Sequence, residues 1–115
     1  MDVDELLKST ETETFLHETG WLYEVGADEI DAIYSEFSGH FQTWLSRLSE
    51  RLGSPDFTTT SDPDLADELY PEAIELAGWK QGNGYALLAF VQHDREAPVF
   101  LSFEIRDEEE AQAGQ

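Results

Sequence analysis

The chain has 115 residues, 26 of them Asp or Glu against six Lys or Arg, for a formal net charge of −20 at neutral pH. Its apolar content of 40%, with three Trp, four Tyr and seven Phe, suffices for one folded core and argues against intrinsic disorder over most of the length. Lack of cysteine excludes disulfides and thiolate chemistry, and the sign of the charge opposes direct binding to nucleic acid or to an anionic membrane.

The N-terminal Met1-Asp2-Val3-Asp4-Glu5 is acidic where a targeting segment would be basic, and no apolar run reaches the length of a membrane span. A cytoplasmic protein is the resulting expectation. Residues 2–8 suit a short helix, followed by an irregular Thr/Glu tract. From Phe15 to Val25 aromatic and β-branched residues concentrate, and Trp21, Tyr23 and Val25 alternate with Leu22 and Glu24, which predicts a strand, with an earlier partner across Thr19-Gly20.

The strongest periodic signal follows. Ile30, Ile33, Tyr34, Phe37, Phe41, Trp44, Leu45, Leu48 and Leu52 fall on one helical stripe, with Asp28 placed to cap its start and Gly53 and Pro55 to end it. The predicted helix, about 28–52, would be about 37 Å long at 1.5 Å per residue. Gly39 inside it marks a kink or a close contact. Residues 53–64 lack periodicity and read as a loop. Residues 64–77 read as helical, broken at Pro71, which suits the first turn of a second short helix ended by Gly78.

The last third reads as β. Gly82-Asn83-Gly84 signals a turn, and Tyr85 to Gln92 is apolar on both faces, as an interior strand requires. After the turn at residues 94–97, the stretch from Pro98 to Arg106 alternates. Val99, Leu101, Phe103 and Ile105 point inward, Ser102, Glu104 and Arg106 outward, and Phe100 breaks the pattern. The expected architecture is therefore a single α+β domain over residues 1–106. An antiparallel sheet of about four strands packs on one long helix with short additional helices, and Trp44, Leu48, Trp79 and Phe103 lie in or near the core. Residues 107–115 read as an acidic disordered tail.

Chemistry is weakly signalled. His93-Asp94-Arg95-Glu96 is the densest cluster of functional types, but it falls at a predicted chain reversal, where solvation alone accounts for polar residues. His17 and His40 belong to no motif. No zinc-protease, nucleophile-elbow or phosphate-loop signature occurs. A calcium loop starting at Asp62 would need Gly at its sixth position and Glu at its twelfth, where this chain has Asp67 and Ala73. The expectation is a non-enzymatic protein with no catalytic residues, cofactor or metal.

The charge distribution is more informative than its total. Between Lys8 and Arg47 the chain carries Glu11, Glu13, Glu18, Glu24, Asp28, Glu29, Asp31 and Glu36 with no base, and a second base-free tract runs from Leu52 to Trp79. At about 6,000 Å² of surface, the whole molecule holds one uncompensated negative per about 300 Å². Self-repulsion at that density costs stability, so something outside the fold favours it. Acids near the start of the long helix, with Arg47 and Arg51 near its end, suit its dipole. That reason does not extend to Asp62, Asp64, Asp67, Glu68, Glu72 and Glu75, which surround Tyr70 and Pro71. With Leu65, Leu69, Ile74 and Leu76 as anchors, this segment is either a solvated face or the candidate partner-binding surface.

Three readings of the charge stand: a dedicated basic protein partner, mimicry of nucleic acid, and general acidity of the salt-adapted kind. The single cysteine-free domain, the base-free acidic tracts and the segment from Asp62 to Glu75 beside Tyr70 together resemble the small acidic immunity proteins that neutralise bacterial toxins. That resemblance implies a one-to-one complex with a basic toxin or nuclease domain. An acidic secretion chaperone is a further alternative, although such chaperones end in a helix and this chain ends in a predicted strand and tail. The oligomeric state is left open by the sequence.

Overall fold

The computed structural model describes residue 5 and residues 13–23, 25–81, 84–93 and 97–107. The predicted helix at 2–8, apart from Glu5, and the predicted tail beyond Asp107 lie outside the described residues. The elements are β1 (Glu13–Glu18), α1 (Ala27–Leu52), β2 (Phe57–Thr58), α2 (Pro63–Leu69), β3 (Ala73–Gln81), β4 (Gly84–Gln92) and β5 (Val99–Asp107). All strands pair antiparallel in one sheet of order β1-β5-β4-β3-β2. The class is the expected α+β, with five strands in place of about four.

The long helix forms where its apolar stripe places it. Phe37, Phe41, Trp44 and Leu48 recur every three or four residues and are buried against Trp79, Leu88, Phe90, Leu101 and Phe103 of the sheet. Asp28 does not cap it: Gly26 is the N-cap, without a side-chain hydrogen bond, and Asp28 and Glu29 lie in the first turn where the dipole favours them. Helix α1 runs unbroken through Gly39, which has open space around it and no close contact. Gly53 ends the helix at φ 85°, a left-handed conformation that glycine adopts without a Cβ penalty, and its carbonyl accepts a 2.8 Å hydrogen bond from the Trp79 indole.

Several sequence expectations are corrected, among them the loop at residues 53–64, which contains strand β2 because Phe57 and Thr58 pair with Gly78 and Ala77. The first strand is Glu13–Glu18, and residues 21–23 and Val25 are not strand; Leu22 is buried while its neighbours Trp21 and Tyr23 face solvent. The segment from Ala73 is strand, not a helix opened by Pro71. Pairing with β4 buries Leu76 on one face and Ala77 on the other, and this non-local pairing overrides local helix propensity. Gly78 does not end an element: a Cβ there would overlap the Phe57 ring, which packs on it from the opposite side of the sheet to α1. Lastly, Ser102 and Glu104 are buried and Ile105 is 43% exposed, the reverse of the predicted alternation at those positions. The alternation of faces itself holds, with Val99, Leu101 and Phe103 toward α1; what differs along β5 is how far each face is covered.

The sheet thus has two apolar faces. Ala77, Trp79, Ala86, Leu88, Phe90, Val99, Leu101 and Phe103 meet α1. Phe57, Ala66, Leu76, Leu87, Ala89, Val91 and Phe100 form a second, smaller core beneath α2 and β2.

Candidate functional site

Helix α2 is short and held at both ends. Asp62 caps its start, accepting from the Leu65 amide at 3.2 Å, and Pro63 occupies the first turn. Ala66 is buried beneath it, while Asp64, Asp67 and Glu68 point into solvent. Tyr70 closes its end and packs partly against the second core.

The structure divides the predicted acidic patch. Asp62, Asp64, Asp67 and Glu68 ride on α2, and Glu72 follows Tyr70 toward the turn between β4 and β5, where its Oε2 accepts from Nδ1 of His93 at 2.6 Å. Glu75 is sent to the other side of the sheet, because it pairs in register with Phe90, whose ring faces α1. There it accepts from the Ser38 hydroxyl of α1 at 3.3 Å. Six of the seven sequence candidates therefore share one side of the sheet, and Glu75 does not join them.

On that shared side, next to Tyr70 and Glu72, lies a groove of about 470 Å³ that sequence reasoning missed. Phe15, Glu18, Trp21, Tyr70, His93, Ala97, Pro98 and Phe100 line it. Strand register explains the assembly: Phe15 and Glu18 stand opposite Ser102 and Phe100, and a β-bulge between Phe15 and His17 turns His17 toward α1 while leaving both on the groove side. The Phe15 ring meets Phe100 edge-on at 5.1 Å, and Trp21 stacks on Tyr23 at 5.6 Å. Phe15, Trp21 and Tyr23 are between 53% and 61% exposed, far more than such rings need to be when a core is available. The one signal that could have pointed here is Trp21 and Tyr23 beside Gly20 and Leu22, large aromatics crowded where only one residue is buried.

The groove has the chemistry of a binding surface. Its described lining carries one histidine, one carboxylate, Glu18, and otherwise aromatic or apolar side chains; among the described residues no Ser, Thr, Lys or Arg lines it. Among the described residues, no group of three or more His, Asp and Glu is placed to hold a metal ion, and no helix is long and apolar enough to cross a membrane.

On the α1 side, His17 stacks on His40 at 3.8 Å, and His40 Nε2 lies 3.8 Å from Glu36. Burial, reinforced by the neighbouring His40, holds the His17 pKa below its ordinary value, with Glu36 opposing the shift. The same end of the helix carries Arg47, whose guanidinium lies 5.2 Å over the Trp44 ring.

The fold is that of a small α+β domain with one sheet face closed by a long helix and the other closed over part of its width. Comparisons with protein families, curated proteins and solved structures return no match to the chain.

Proposed function

We propose that the chain is a non-enzymatic binding protein that engages and neutralises a basic protein, in the manner its resemblance to acidic immunity proteins implies. The observation that carries this reading is the coincidence, on one side of the sheet, of exposed aromatics with unopposed carboxylates. Aromatic rings supply contact area that excludes water, and the surrounding acids steer a cationic partner and reject anionic ones. Solvation alone would account for the acids but not for Phe15, Trp21 and Tyr23 standing exposed beside them. Mimicry of duplex DNA is less well supported, since it needs carboxylates in phosphate-like rows, and the longest straight element, α1, has none between Glu36 and Glu50.

The test is a partner recovered from the native host and its association rate as a function of salt. Replacing the exposed pair by Asp67→Lys and Glu68→Lys together should slow association by about threefold to tenfold at low salt, with the difference shrinking as salt is raised. A partner that is itself acidic, or a rate indifferent to both salt and the double substitution, would sink the proposal. Competition between this protein and duplex DNA for the same partner would favour mimicry instead.

A further inference from the structure

The groove is narrower in its chemistry than an acidic surface. We propose that it is a subsite for an arginine side chain of the basic partner, held between the aromatic rings and the carboxylates of Glu18 and Glu72. This deepens the function proposed above and rests on it.

Three observations support the assignment. Phe15, Trp21, Tyr70 and Phe100 contribute rings from β1, the segment after it, the end of α2 and β5, so four separate parts of the fold converge on one concavity. Ring faces attract cations through their quadrupole, and Trp is the strongest of them. The Glu18 carboxylate has no hydrogen-bond or ion-pair partner among the described residues, and Glu18 lines the concavity from β1. Glu72 is not itself in the lining but is joined to it through His93, whose Nδ1 lies 2.6 Å from its Oε2, while its Oε1 has no partner among the described residues.

The alternatives are poorer fits. An apolar ligand would strip water from carboxylates without pairing them, and burying an unpaired charge is costly. Among the described residues an anion meets a wall with no Lys or Arg: Arg47 and Arg51 lie on α1 and Lys80 toward the opposite end of β3. A second copy of this chain would bring another molecule of net charge −20 and, in a two-fold contact, the same carboxylates against each other. Between the two basic side chains, arginine suits the site better than lysine. Its guanidinium is planar, stacks on rings, is weakly hydrated and can bridge carboxylates with a fork of donors, whereas an ammonium is a compact, strongly hydrated point charge.

The experiment is a heteronuclear NMR titration of the full-length protein with the peptide acetyl-Gly-Arg-Gly-amide and its lysine, norleucine and citrulline counterparts. The arginine peptide should shift the Trp21 indole and the resonances of Glu18 and Phe100, the lysine peptide less, and the uncharged citrulline peptide, of nearly the same shape, far less. Glu18→Gln and Trp21→Ala should each weaken arginine binding by about twofold to fivefold, as a partly exposed ion pair and a partly exposed cation–π contact would. Glu18→Gln is isosteric and exposed, so the test holds even if Trp21→Ala perturbs the fold. Equal shifts from the arginine and citrulline peptides would overturn the subsite, as would the absence of saturable shifts from any peptide. Shifts confined to α2, with the groove resonances still, would overturn the subsite while leaving the acidic binding face in place. Sedimentation showing a dimer that Glu18→Gln strengthens and Trp21→Ala dissolves would assign the groove to a second copy and overturn the proposal.

Discussion

The two faces of the sheet are closed by different means. On one side a helix of 26 residues lies against β3, β4 and β5 and buries four of its own large side chains. On the other, a helix of seven residues, with Phe57 of the two-residue edge strand β2, covers β3 and β4, and the covering stops short of β1. Where it stops, Phe15 and Trp21 are exposed, Glu18 lines the groove beside them, and Glu72 reaches it through His93. Folding has closed most of the first face; on the second it has left more apolar surface open beside the groove. A domain of this size buries only about two thirds of the surface of its unfolded chain, so it has little apolar area to leave idle.

That comparison is broken or upheld most directly by truncating one residue on each side. Leu48 is fully buried under α1, and Leu48→Ala should cost about 2–5 kcal/mol in denaturant unfolding, through lost transfer energy and a cavity that the flanking rings cannot fill. Phe15→Ala, at the open end of the second face, should cost under about 1 kcal/mol, because more than half of that ring is already in water. Comparable losses at the two positions would mean that the open half-face is part of the fold's own stabilising core.

The covered half of the second face has its own critical contact. Phe57, 3% exposed, rests on Gly78 and meets Tyr85 edge-on at 5.6 Å, so β2 is held by a ring seated where a side chain would otherwise stand. Gly78→Ala should destabilise by about 1–3 kcal/mol, the usual range for overpacking a filled site. Since the ring must move, β2 should also lose hydrogen-exchange protection while α1 keeps its own. A neutral Gly78→Ala would show that Phe57 shifts freely and that the covering of this face is loose throughout.

How far these features are legible in the sequence depends on whether each is local. Helix α1 announces itself because its stripe repeats for seven turns and Gly53 ends it, and Trp44, Leu48, Trp79 and Phe103 are indeed buried. Strand β3 does not, because Ala73 to Ala77 is apolar in a way that suits either a helix or a strand buried on both faces. Only the partner strand decides, and it lies across a turn. The same ambiguity misplaces Glu75, since a helix would keep it beside Glu72 whereas a strand delivers it to α1. The groove is further still from any local signal: residues 15, 18, 21, 70, 93 and 100 meet only through the pairing of the first strand with the last. Counting charges singles out the segment from Asp62 to Glu75 but cannot show the rings that adjoin it.

The smallest expected effect concerns the α1 side, where the bulge in β1 turns His17 into contact with His40 and Phe37. In the folded protein His17 holds its proton less tightly than the ordinary value of 6.5, chiefly because of burial and secondarily because of His40. The unfolded chain therefore binds that proton more readily. Stability from this group is complete above pH 6.5 and is lost as the pH falls from there through the lower folded value. Acidification also relieves repulsion among the carboxylates, which acts in the opposite sense and is common to any variant. The informative quantity is thus the stability of His17→Gln relative to the parent, measured by urea unfolding from pH 7.5 to 5.5 at constant ionic strength. The parent should lose ground to the variant as the pH drops, the gap opening below pH 6.5. Parallel profiles would mean that His17 is hydrated like an exposed histidine, and the α1 face would then be less completely closed at its β1 edge than its core residues indicate.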